Sequence, residues 1–136
     1  MYKRQSYDKA LNFDGETSVY VQYTCARASS VLAKAAEGGF EGALSEHYTP
    51  CDQEFELIRA LSDFPDTVKA AAERYEPSFV ARWCVDTAQK FNKFYFDCKI
   101  LQEEETRAFR LALTKATLSA LTAGLTLLGI GVPEKM

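Results

Sequence analysis

Aromatic side chains and lysines gather at two places in this 136-residue chain. Tyr20 and Tyr23 stand one helical turn apart, directly behind the short acidic stretch "FDGET". Phe91, Phe94, Tyr95 and Phe96 crowd a second stretch, interleaved with Lys90, Lys93 and Lys99. Rings beside cations are what a stacking surface for unpaired bases requires: rings accept any base, and ammonium groups attract phosphates. The same spacing suits core packing, because aromatics at helical intervals usually face an interior. Both readings stay open on spacing alone.

No catalytic constellation accompanies them. His47 is the single histidine, in a loop beside Tyr48 and Pro50, and reads as a surface residue. The chain has no GxSxG or HExxH motif, and "EGGFEG" lacks both the preceding strand and the lysine of a phosphate-binding loop. Glu54 and Glu56, two apart on a helix, do not face each other. Cysteines occur at 25, 51, 84 and 98 without a CxxC, so no zinc set can be assembled. They read as reduced structural thiols, with Cys84 and Cys98 acting as small hydrophobes. No catalytic or metal residue is assigned.

Length and composition suit one globular domain over residues 1–136. The longest apolar run, "LTAGLTLLGIGV", is too short for a membrane span, and "MYKRQSYDK" lacks the apolar core of a signal peptide. A cytoplasmic location with no membrane partner is expected. The net charge of −3 hides a division: residues 37–76 carry ten acids and three bases, whereas residues 1–36 and 77–99 are each mildly basic. Such asymmetry suits one acidic face and a basic one elsewhere, without naming a partner.

Positioning these residues falls to helices. Apolar periodicity predicts a first helix from about Val19 to Glu37, with Tyr20, Tyr23, Ala26, Arg27 and Val31 near one face, ended by the glycines of "EGGFEG". Asp52 is a suitable N-cap for "QEFELIRALSDF", whose Phe55, Ile58 and Leu61 repeat at three-residue spacing. Pro65 stops that helix and opens the next, and Pro77 opens a fourth, where Val80, Cys84, Ala88, Phe91 and Tyr95 form a stripe. The last helix runs roughly from Glu103 to Leu128. Leu111, Leu118 and Leu125 recur every seven residues, with Thr114, Leu121 and Leu128 three behind, as a bundle seam. The three glutamates at 103–105 suit its N-terminal end, most simply as a helix start. The expected fold is all-α: a mostly antiparallel bundle of about five helices.

Three ordered motifs then carry a resemblance. "FDGET…YVQYTCARASSVL", the middle segment ending in "FNKFY", and the terminus "LGIGVPEKM" resemble the DALR-type anticodon-binding domain of arginyl-tRNA synthetase. The likeness runs over nearly the whole chain. Departures are Ser18-Val19 where the family has Gly-Pro, Cys25 where it has His, Ala28-Ser29 for a more hydrophobic pair, and Thr87 for leucine. The resemblance implies an isolated C-terminal domain that is not itself an enzyme, from a parent ligase whose catalytic domain uses ATP and magnesium. It implies no cofactor within this domain, and two partners: the anticodon loop of arginine tRNA and the parent's catalytic domain. The resemblance places Asn12, Phe13, Asp14, Gly15, Glu16, Thr17, Tyr23, Tyr95 and Met136 at the RNA surface, and the spacing of aromatics and cations adds Tyr20, Arg27, Lys90 and Lys93 as candidate contacts. The alternative is a helical protein-interaction or scaffolding domain without RNA binding.

Overall fold

A computed structural model describes residues 16–133, and of Glu16 the backbone alone. Among the described residues five helices follow one another: α1 (Glu16–Glu37), α2 (Asp52–Ser62), α3 (Phe64–Arg74), α4 (Ser78–Asp97) and α5 (Glu104–Leu127). Among the described residues there is no strand. The expected all-α bundle is therefore the observed class.

Helix α1 begins at Glu16, three residues before the expected Val19. Its entry explains the difference. Ser18 and Val19 both keep a backbone N–H and accept helical dihedrals, whereas a Gly-Pro pair would favour a break there. At its other end Phe40 N–H reaches Ala35 O over 2.8 Å, and Gly39 takes φ 75°, a left-handed turn suited to glycine.

The buried face of α1 carries Ser18, Val21, Thr24, Cys25, Ala28, Val31 and Ala35. Tyr20 and Tyr23 fall outside that stripe, and Arg27 is half-buried at its edge. In α2 the capping residue is Cys51, and Asp52 is already helical. The expected face of α2 is also turned. Glu54, Leu57 and Ala60 are buried, Ile58 and Leu61 half-buried, and Phe55 is 52% exposed. Apolar spacing misled here because the carboxylate of Glu54 is fully buried against Tyr48, Cys51 and the distant Arg110.

Helix α4 is central and packs against all the others. Val80, Cys84, Ala88 and Phe91 lie on its buried face as expected, joined by Trp83, Thr87, Asn92 and Phe94, while Tyr95 is only half-buried. One core cluster joins Val21 and Cys25 to Val80, Trp83, Cys84, Leu121 and Leu125. A second joins Ala28, Val31 and Ala35 to Leu57, Phe91, Phe94 and Leu111. These pairings run α1 and α4 in the same sense and α5 against both. Gln22 Nε2 accordingly donates to Gly131 O over 2.8 Å, start of α1 to end of α5. Of the predicted seam, Leu111, Leu121 and Leu125 are buried, whereas Leu118 and Leu128 are half-buried.

The α1–α2 connection forms a strap over α5. Ala43 N–H bonds Ala108 O at 3.0 Å, and a Cβ on Gly42 would meet the Ala112 nitrogen at 2.7 Å, so only glycine permits this approach. Tyr48 stacks on Phe109 with ring centroids 4.0 Å apart. Beneath the strap, Glu54 accepts hydrogen bonds from Tyr48 Oη (2.7 Å), the Cys51 N–H (3.0 Å) and Arg110 Nε (3.4 Å). Arg110 also donates to Lys99 O (2.8 Å) and Glu103 Oε2 (3.3 Å). This is a buried ion pair in which both carboxylate oxygens carry further hydrogen bonds, the condition under which such a pair is tolerated.

Candidate nucleic-acid interface

Helix α1 presents Tyr20, Tyr23 and Arg27 at i, i+3 and i+7, and helix α4 presents Asn92, Tyr95 and Phe96 at the matching height. Arg27 is the meeting point. Its guanidinium carbon lies 5.1 Å from the Tyr23 ring centroid, 4.7 Å from Tyr95 and 5.0 Å from Phe96. Each distance is within cation–π range. Nη1 donates to Asn92 Oδ1 at 2.7 Å, and Nη2 makes a long contact of 3.5 Å with the Tyr23 hydroxyl.

Asn92 completes the arrangement from below. Because arginine can only donate, the asparagine oxygen must face it, and the amide nitrogen is then free to donate. It does so to Tyr20 Oη at 2.9 Å and to Thr24 Oγ1 at 3.0 Å. The Tyr20 hydroxyl, as an acceptor here, keeps its own proton for an outside partner. Among the described residues the hydrogen-bond partners of Arg27 are neutral, so no carboxylate offsets its charge.

The rings are accessible. Tyr23 is 48% exposed, Phe96 71% and Tyr20 37%, while Tyr95 is half-buried with its ring 6.4 Å from that of Phe91. An open groove of ≈ 840 Å³ runs from this cluster along α1. Tyr23, Arg27, Ser30, Lys34, Tyr95 and Leu118 are among its lining residues. The groove thus combines two aromatic rings and the cations Arg27 and Lys34 with serines and the apolar Val31, Leu32 and Leu118.

Of the residues expected at an RNA surface, the structure brings together Tyr20, Tyr23, Arg27 and Tyr95. Glu16 and Thr17 belong to the first turn of α1, not to a loop. Asn12, Phe13, Asp14, Gly15 and Met136 lie outside the described residues. Lys90 and Lys93 line a different groove with Asp52, Gln53 and Glu56, and Lys90 Nζ pairs with Asp86 at 3.1 Å. The sequence reading missed Asn92 and did not single out Phe96 as a contact. The signal for Asn92 was present: an amide at the polar break of an otherwise apolar stripe, one turn before Tyr95 and Phe96.

Among the described residues no group of three or more His, Cys, Asp and Glu is placed to hold a metal ion. Nor is any helix there long and apolar enough to cross a membrane. His47 is exposed in the strap, and all four cysteines are free thiols.

Comparison with known proteins decides the family. The DALR anticodon binding domain matches residues 21–136, which include every described member of the cluster except Tyr20. The chain belongs to the DALR anticodon-binding domain family. Arginine–tRNA ligase of Lactobacillus acidophilus is 43% identical over 129 residues, covering 95% of this chain and 23% of that ligase. The Alkaliphilus metalliredigens ligase is 44% identical over 132 residues, covering 96% and 23%. Among solved structures, Thermus thermophilus arginyl-tRNA synthetase superposes with a TM-score of 0.78 at 35% identity, over 96% of this chain and 23% of that one. This DALR chain therefore spans about a quarter of the length of these relatives.

The departures from the family pattern have visible surroundings in this DALR chain. Cys25 is fully buried, its thiol pushed up to about 11 by burial. Thr87 is fully buried too, and its Oγ1 has no hydrogen-bond partner. Both side chains are fully buried, so neither change alters the exposed face of the candidate interface.

Proposed function

We propose that this chain binds the anticodon loop of arginine tRNA, as the anticodon-binding part of an arginine–tRNA ligase. Family membership supports an anticodon role, and one observation carries its location: the Arg27 guanidinium held among the rings of Tyr23, Tyr95 and Phe96. Every arginine codon has G at its middle position, so the reader must recognise one cytosine and tolerate its neighbours. Exposed rings supply tolerant stacking, and a fixed guanidinium with spare N–H donors suits the acceptor edge of one base. Lys34 lies at the far end of the groove, where a phosphate of the same loop would find a cation.

In this reading arginine activation with ATP and magnesium belongs to a catalytic domain in the same parent polypeptide, acting in the cytoplasm. The present chain contributes positioning rather than bond-making. Lys90 and Lys93, turned toward the acids of α2, contribute at most diffuse attraction.

A filter-binding comparison tests the proposal. Arginine tRNA is titrated against the same transcript with its middle anticodon base changed from C to G. Retention of the first and loss of the second is expected. Equal retention of both, or of neither, would overturn anticodon recognition and leave a protein-interaction domain as the reading.

A further inference from the structure

Cys51 and Cys98 are 47 positions apart in sequence, yet their sulfurs lie 3.7 Å from each other. One caps the N-terminus of α2 at the end of the strap, and the other caps the C-terminus of α4. Both are thiols. A disulfide needs sulfurs about 2.05 Å apart, a closing distance within reach of side-chain rotation at either cysteine. We propose that Cys51 and Cys98 form a peroxide-responsive dithiol that closes to an intramolecular disulfide.

The two sulfurs differ in access, which orders the steps. Cys51 is half-buried and is the one that peroxide reaches, whereas Cys98 is buried. The Cys51 sulfur attacks one peroxide oxygen. The O–O bond breaks, hydroxide leaves and takes the thiol proton as water, and Cys51 becomes a sulfenic acid. The Cys98 sulfur then attacks the Cys51 sulfur, the S–O bond breaks, and a second water carries away the Cys98 proton. Two thiols lose two electrons and one peroxide gains them.

The surroundings favour this division of roles. Burial and the adjacent Cys51 sulfur push the Cys98 thiol up to about 12, with Arg110 opposing and Glu54 adding to the rise. Cys98 is buried from solvent yet stands against the sulfur it must attack. Arg110, whose Nη1 holds the Lys99 carbonyl, supplies positive charge as the Cys98 thiolate develops. Cys25 and Cys84 have no such access: both are fully buried, with thiols pushed up to about 11 and about 12 by burial.

The bond would fasten the start of α2 to the end of α4, two positions beyond Phe96. The test treats the 136-residue chain with hydrogen peroxide, alkylates the remaining thiols, and maps digested peptides without reduction. The expected product is a cross-linked Cys51–Cys98 peptide pair, two hydrogens lighter and released by dithiothreitol. Cys98→Ala should instead accumulate a Cys51 sulfenic acid that dimedone traps. If that variant fails to fold, the wild-type map decides alone. Alkylation of both thiols at a dose that fully oxidises glutathione in the same tube would overturn the proposal. So would a cystine mapped to any other pair, or a Cys51 sulfinic acid beside an alkylated Cys98.

Discussion

Arg27 Nη1 meets Asn92 Oδ1 at 2.7 Å, and this one contact determines which edge of the guanidinium is spent inside the protein and which faces out. Arg27→Lys keeps the charge but loses the planar fork that touches three rings at once. Its affinity for arginine tRNA should fall by about 1–3 kcal/mol with little change in melting temperature. Asn92→Ala should lower both, because the Tyr20 and Thr24 hydroxyls lose their shared donor. Unchanged affinity in both variants would remove the cluster from RNA contact.

Tyr23 and Tyr95 should separate cleanly. Tyr23, half exposed, should lose about 1–3 kcal/mol of RNA binding on change to alanine and keep its melting temperature. Tyr95 also packs toward Phe91, so Tyr95→Ala should lower both affinity and stability. Tyr→Phe at either site keeps stacking and isolates the hydroxyl. The check is binding and thermal melting on the same preparations; full affinity after both alanine changes would return the two rings to a packing role.

Stability should depend on pH through Glu54. Burial raises its carboxyl, but hydrogen bonds from Cys51 and Tyr48 and the charge of Arg110 outweigh burial, leaving it below the ordinary 4.5. A carboxylate lowered on folding contributes stability that is complete above its unfolded value and lost as pH falls through the folded one. Urea melts from neutral pH down to about pH 3 should show that loss, and Glu54→Gln should flatten it. At neutral pH, breaking the pair with Arg110→Met should cost about 3–5 kcal/mol.

Thr87→Val should stabilise the chain. The hydroxyl is buried without a partner, and valine replaces it with a methyl of nearly the same shape. A gain of about 1 kcal/mol in denaturant unfolding is expected. A loss instead would show that the hydroxyl is bonded in solution.

Leu121 is fully buried on α5 within the cluster that holds Trp83 and Cys84. Leu121→Ala should cost about 2–5 kcal/mol in the same assay. A cost below about 0.5 kcal/mol, typical of surface positions, would put the core on another face of the helix.

How legible these features were follows from the range of the interactions involved. The α4 stripe and most of the α5 seam were readable because one helix face meets one apolar core, and local period reports that directly. The face of α2 was not. Glu54 looks like a surface residue until Arg110, 56 positions away, supplies its charge partner. The Arg27 cluster was half legible for the same reason. Its tyrosines and arginine announce themselves one turn apart, but Asn92, which orients the arginine, is 65 positions distant. Lys90 and Lys93 show the reverse limit: they interleave with aromatics in sequence, but in space they line a separate groove with Asp52, Gln53 and Glu56.

The strap across α5 sets an order of events during synthesis. Residues 38–51 leave the ribosome before α5, and the backbone of Ala108 and Ala112 that receives Ala43 and Gly42 is made more than sixty residues later. Until then Tyr48 has no Phe109 to stack on, and Glu54 has no Arg110. Nascent α1, α2 and α3 therefore wait with Glu54 lacking its charge partner on the face that becomes interior. Completion is delayed until α5 emerges, so truncation within α5 should expose α2 and the strap to chaperones and proteases as surely as a lesion in α2 itself.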